Sequence, residues 1–277
     1  MDFDPLADNA PPRYAIESDD EEDEYNPLNP SRSNSSDGLL AVNFQGNVPK
    51  KRSLIVATGD AGKYWAQGAR LGEQTGSVHA NNVEVGLVFS PTWTSAIIII
   101  SEALTRLPIW AQHTYALGII KHFEPTRLAL LDAYSTPTYA SFRPIPAHEA
   151  PIRYLATTPL IASTIQAEAE PFGLPNLVQS TSASFMSIIT SSDPTQGVLV
   201  LLPSPRVPPS APEKILPGRL SSQSDHWPTT LLLKTHQLLS VAVGEESYPE
   251  WALEERKEQF QTFHRNSEAS DVGGLYI

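Results

Sequence analysis

Leu275-Tyr276-Ile277, a hydrophobic residue, a tyrosine and a residue bearing the final carboxylate, is the grouping with the clearest chemistry, and it follows the pair Gly273-Gly274. That chemistry is binding rather than turnover. A leucine and a tyrosine ring can enter an apolar slot, the phenol can hydrogen-bond, and a terminal carboxylate can pair with a lysine at the slot's floor. Thirteen residues from Arg265 onward could extend about 40 Å at roughly 3.3 Å each, so the ending can reach away from a folded body. The plainer alternative is that Leu275 or Ile277 folds back onto its own domain.

Candidates for catalysis are weaker. Gly59-Asp60-Ala61-Gly62-Lys63 resembles a phosphate loop, but its first glycine is too close and Tyr64 stands where a Ser or Thr would hold magnesium, so an ordinary turn is expected. There is no Gly-x-Ser-x-Gly elbow to present a serine nucleophile. The seven histidines are scattered. His113 and His122 are not at ligand spacing, and His113 is expected as a core histidine on an apolar helix face. Asp132, at a strand end, is the best single catalytic candidate. With no matched base or nucleophile near it in sequence, a turn-forming or helix-capping role is the expectation. No catalytic, cofactor-binding or metal-ligating residue is assigned.

Charge and composition narrow the classes. Residues 1–37 hold eleven carboxylates against Arg13 and Arg32, so most of the net charge of −12 sits in the first seventh of the chain. Asp19 to Glu24 is an unbroken acidic run among Pro, Asn and Ser, which predicts a disordered acidic tail over 1–38. Such a field repels phosphate, so nucleic acid is not an expected partner. Cysteine is absent, which removes disulfides and thiolate chemistry. The most apolar stretch, around Ala96 to Ile100, is far short of the roughly 20 residues a membrane helix needs, so no membrane association is expected. Without a basic leader and apolar run at the start, the expected location is cytoplasmic. Lys50-Lys51-Arg52 leaves nuclear import open.

The elements between these segments follow from periodicity. Strands are predicted at Leu54–Thr58, Val83–Phe89, Ser95–Ser101, Leu128–Asp132, Ile152–Ala156 and Val198–Leu202, each a short, mostly apolar run. A Gly-rich connector joins the first two. Helices are predicted after Pro108, with Ile109, His113, Ala116, Leu117 and Ile120 on one face, and after Asn176 as cap, with Leu177, Thr181, Phe185, Ile188 and Ile189 inward. Two more follow: one carrying Leu231, Leu238, Leu239 and Ala242, and a charged one from Glu250 to about His264. Strand, helix, strand over 95–132 is a parallel crossover. The fold class is therefore α/β, a mixed and largely parallel sheet flanked by helices. A single domain is expected over 39–264, with Pro-rich loops near 133–151 and 203–228, the latter a candidate partner contact, and a flexible docking tail over 265–277.

Together, the acidic start, an α/β body without a convincing catalytic set, Leu177 to Ser204 as helix, apolar strand and Pro-Ser turn, and the ending Gly274-Leu275-Tyr276-Ile277 resemble the proteasome assembly chaperone 1 family in its fungal forms. The resemblance implies a non-enzymatic chaperone without cofactors. It implies pairing with proteasome assembly chaperone 2 and docking of the heterodimer on the alpha ring of the core precursor. Leu275, Tyr276 and Ile277 would enter a groove between alpha subunits, with the Ile277 carboxylate on a pocket lysine. This would assist assembly and block premature docking of regulators. Two other readings stay open: a nucleoside- or nucleotide-binding α/β enzyme, and a different proteasome-docking regulator.

Overall fold

The computed structural model describes residues 40–49, 53–143, 145–191, 195–217 and 226–253. The acidic run, Lys50-Lys51-Arg52, the stretch from 254 onward and the ending Leu275-Tyr276-Ile277 lie outside them.

Nine strands form one mixed sheet. In chain order the elements are β1 (Val42–Gly46), β2 (Ser53–Thr58), α1 (Gly59–Ala66), β3 (Gln74–Ala80), β4 (Val83–Phe89), β5 (Ala96–Ser101), α2 (Ile109–Phe123), β6 (Arg127–Ser135), β7 (Arg153–Ala156), α3 (Pro159–Ile165), β8 (Glu170–Pro171), α4 (Thr181–Ser191), β9 (Gln196–Ser204) and α5 (Thr229–Val243). Their order across the sheet is β1-β3-β4-β5-β2-β6-β9-β7-β8. The four central strands, β5, β2, β6 and β9, are parallel. β1, β3 and β4 extend the sheet antiparallel on one side, and β7 adds antiparallel to β9 on the other. This is the expected α/β class, with the parallel part at its centre.

Period-two alternation in apolar runs sorts the core into two layers. Ile55, Ile98, Leu131 and Val200 face α1 and α5, meeting Trp65, Leu232 and Leu239. Val56, Ile99, Leu130 and Leu201 face the opposite way, against Tyr115, Ile119 and Phe185 of α2 and α4. Every residue of β5 is buried, which is why the Ile97–Ile100 run carries no polar alternation.

Several local expectations are corrected. The segment between β2 and β4 is not a plain connector: it holds α1 and β3. Gly59-Asp60-Ala61-Gly62-Lys63 is the first turn and a half of α1, where a Cβ on Gly62 would lie 2.4 Å from the Ala57 carbonyl oxygen. A glycine is required for the helix to lie that close to its own strand. On α2 the buried stripe is Ala111, Tyr115, Ala116, Ile119 and Phe123; His113 and Ile109 are exposed, because the large rings of Tyr115 and Phe123 rotate the inward face away from them. Asn176 does not cap α4. Its side-chain oxygen accepts from the Ala140 N–H at 2.7 Å and its amide donates to the Ala140 and Gly173 carbonyls, leaving Leu177 exposed and starting the helix at Thr181. Residues 250–253 are not helical. Trp251 instead buries itself beside α1, its Nε1 donating to the Trp65 carbonyl at 2.7 Å.

The end of α5 gives one testable expectation. Gly244 caps it at φ +83, and Arg127 Nη1 lies 1.5 Å from where a Cβ would stand, donating to the Val243 carbonyl at 3.2 Å. Gly244→Ala should therefore combine left-handed strain with loss of that contact and cost about 1–3 kcal/mol. A fall in the urea midpoint at unchanged slope would report it; an unchanged midpoint would refute the assignment.

Candidate functional site

The parallel strands bring their carboxyl ends to one edge of the sheet, the usual place for ligand sites in such folds. There, Asp132 of β6 is hydrogen-bonded on both oxygens. Oδ1 accepts from the Ala133 N–H, and Oδ2 accepts from the hydroxyls of Ser180 and Ser182, all at 2.7 Å. Ser182 Oγ also lies 3.5 Å from Thr58 Oγ1 at the end of β2. Burial raises the Asp132 pKa, and these three hydrogen bonds oppose the rise. Beside it, Glu102 follows β5 at φ +52 and accepts from the Leu107 N–H at 2.7 Å. Burial pushes its carboxyl up to about 7. Ser101 Oγ donates to the Tyr115 oxygen at 3.2 Å, and burial raises that phenol too.

This cluster contains the residue types of a catalytic site, but their bonds run the wrong way for one. The serine protons are spent on a carboxylate that already holds a backbone N–H. None of these bonds passes through a histidine that could relay a proton. What the arrangement does is fasten the start of α4 to β6 through serine hydroxyls. Asp132 neither forms a turn nor caps a helix, as was expected of it, because it lies within β6 and its one backbone donor is its own neighbour Ala133. Asp132→Ala would leave Ser180, Ser182 and the Ala133 N–H without their acceptor. A loss of about 3 kcal/mol is expected from unpaired buried donors, with Asp132→Asn costing less. Equal stability of wild type and the alanine variant in urea would contradict this.

The other sequence candidates are equally committed. Lys63 Nζ pairs with Asp60 at 3.0 Å within α1, rather than reaching outward as a phosphate-loop lysine would. His122 stacks on Phe44 at 3.8 Å. Among the described residues the buried histidine is His236 on α5, which the sequence reading did not single out. Its Nε2 lies 3.0 Å from the Pro249 carbonyl, which can only accept, so Nε2 carries the proton. Trp65, Trp93 and Tyr248 surround its ring, and burial lowers its pKa to about 4. Its neighbours come from three distant segments, so no local spacing marks it. Among the described residues, no group of three or more His, Asp or Glu could hold a metal ion, and no helix is long and apolar enough to cross a membrane.

The surface at this edge is built from loops. After β6, Tyr139 is held under the Arg153 guanidinium, 4.1 Å from the ring centroid, while Arg153 donates to the Pro171 carbonyl at 3.1 Å. After β9, the Pro-rich segment 205–217 lies along the β5–α2 turn. Arg106 donates to the Pro209 and Ser210 carbonyls at 2.7 and 3.0 Å, Trp110 Nε1 donates to the Glu213 carbonyl at 3.1 Å, and Thr105 donates to the Leu216 carbonyl. The described part of the Pro-rich segment is thus tied through backbone carbonyls that its prolines leave available. The docking residues Leu275, Tyr276 and Ile277 lie outside the described residues, so the geometry neither brings them together with this edge nor separates them from it.

No protein-family model matches the chain, and no curated protein matches it. Solved structures do. A Pyrococcus furiosus protein, PbaA, described as an archaeal homologue of proteasome-assembly chaperone, aligns with a TM-score of 0.50 at 10% identity, over 74% of this chain and 83% of that one. PbaB from the same organism, described as an archaeal proteasome activator, aligns at 0.49 and 9% identity, over 75% and 90%. The described sheet and its helices therefore have the fold of the archaeal assembly-chaperone homologue.

Proposed function

We propose that this chain is a proteasome-assembly chaperone subunit of the assembly chaperone 1 type. It pairs with proteasome assembly chaperone 2, and the heterodimer docks on the alpha ring of the core precursor. Leu275 and Tyr276 enter a groove between alpha subunits, and the Ile277 carboxylate meets a lysine there. Docking assists ring assembly and keeps regulators off the immature core. The work is done by binding, in the cytoplasm and nucleus, without a cofactor.

The observation that carries this reading is the fold shared with the archaeal assembly-chaperone homologue, found in a chain whose sequence ends in a hydrophobic-Tyr-X motif. The strand-end cluster adds support against an enzyme, since Ser180 and Ser182 both spend their protons on the Asp132 carboxylate. A three-residue plug buries little, so its affinity depends on the partner's additional contacts through effective concentration. The test is co-expression with the pairing subunit, followed by capture of core precursors. The heterodimer should retain alpha-ring intermediates; a heterodimer that retains none would overturn the assignment.

A further inference from the structure

Large apolar side chains are gathered at one end of the molecule. Phe142 is 100% exposed, Leu174 93%, Ile109 76%, Leu177 73%, Leu216 64% and Trp110 53%. Ile109, Trp110, Phe142 and Leu216 stand on, or immediately after, the loops that follow β5, β6 and β9, and Leu174 and Leu177 stand on the β8–α4 connection, which Asn176 ties to the loop after β6. The loops form one surface: Asn176 joins 173–177 to Ala140, the Thr136 N–H donates to the Ser204 carbonyl at 2.8 Å, and Trp110 holds Glu213. Between the loop after β6 and Pro205 lies an open hollow of about 410 Å³, lined by Pro137, Tyr139, Ala140 and Ile145 among others.

Each of the six is more than half exposed, and large apolar side chains gathered on one face in this way mark an interaction surface. Charge selects the partner. Among the described residues of these loops, the exposed charges are Arg106, Arg143, Arg206 and Lys214 against Glu149 and Glu213, a basic excess on a chain of net charge −12. A second copy applied to the same face would set that basic excess against itself.

We infer that this carboxyl-end face is where the chain pairs with a different folded subunit, one that presents an apolar centre ringed by carboxylates. The choice of that subunit as proteasome assembly chaperone 2 rests on the proposed function; the location of the face does not. Arg106, Trp110 and Thr105 hold the Pro-rich segment in place as part of this surface, and Arg153 does the same for Tyr139, so the interface is prepared before the partner arrives.

The test uses the full chain, mixed with that subunit and followed by light scattering and titration. Phe142→Asp combined with Leu177→Asp should weaken pairing at least 100-fold while leaving the circular dichroism and melting temperature near wild type. Both residues are solvent-facing, so the fold should survive. Leu253→Asp, an exposed leucine beyond the Ala252–Gly68 hydrogen bond beside α1, should pair normally. Arg143→Glu with Lys214→Glu should slow association and flatten its salt dependence. Normal pairing by the Phe142/Leu177 variant would overturn the inference while leaving the proposed function standing. A wild-type homodimer broken by the same variant would overturn the choice of partner and the charge argument. A wild-type chain that stays monomeric in the presence of that subunit would overturn both this inference and the proposed heterodimer.

Discussion

A chain lacking Leu275-Tyr276-Ile277, co-expressed with its pairing subunit, should still form the heterodimer yet lose capture of core precursors by about 100-fold or more. Burial of a leucine contributes about 1.5–3 kcal/mol, and the carboxylate–lysine contact and phenol hydrogen bond add to it. That sum reaches about two decades of affinity at about 1.4 kcal/mol per decade. Extending the chain by a single alanine after Ile277 separates the contributions. It moves the carboxylate while leaving both side chains, so its loss reports the lysine contact alone. Undiminished capture by the truncated chain would move recognition to the folded surface.

The second large effect is a pair of opposed pH dependences. His236 has its folded pKa lowered to about 4 by burial, from an ordinary value near 6.5. Its neutral form therefore contributes stability that is complete above pH 6.5. As pH falls toward 4, the unfolded chain takes up a proton that the folded chain refuses. Glu102 runs the other way. Its folded pKa is raised to about 7, from 4.5, so its protonated form contributes stability that is complete below pH 4.5 and is lost as pH rises through 7. Each shift is worth about 3 kcal/mol over its window, and the two nearly offset between pH 4.5 and 6.5. Glu102→Gln should remove the alkaline loss, so that its stability relative to wild type rises from pH 4.5 to 7.5. His236→Phe should remove the acid loss. Urea midpoints at four pH values check both; parallel curves for wild type and both variants would contradict the burial of these groups.

Much of the architecture is legible in the chain, and the parts that are not have physical reasons. Val83–Phe89 is predicted to the residue, and β2, β5, β6, β7 and β9 to within a few: the four central strands are covered on both faces and must be continuous apolar runs, while β4 and β7, partly exposed, still read as short, mostly apolar runs. β1 escapes because it is an edge strand with most of its residues partly or fully exposed, so no apolar pattern is demanded of it. β3 carries Gly76, Ser77 and His79 and pairs with β4 across Asn81 and Asn82, both at positive φ. That asparagine pair was the available signal for a hairpin. The glycines of α1 read as a turn because their role, letting the helix approach Ala57, is a tertiary contact.

The candidate site was legible only in part. Asp132 was expected at a strand end, whereas β6 runs on to Ser135, and its partners Ser180 and Ser182 lie 48 and 50 residues away. Nothing in local spacing identifies a carboxylate already committed to two serines. Glu102 and His236 were not singled out because burial, the cause of their shifted pKa values, depends on packing from remote segments. The apolar face at the carboxyl ends is likewise assembled from four separate loops.

Chaperone and activator readings part at the maturation state of the particle bound. The decisive measurement is therefore the affinity of the purified heterodimer for unprocessed core precursors and for mature core particles, with peptide hydrolysis followed in the same samples. Tight binding to precursors, at least tenfold weaker binding to mature cores and no stimulation of hydrolysis is the predicted result. Equal or tighter binding to mature cores with accelerated hydrolysis would contradict an assembly chaperone and describe an activator.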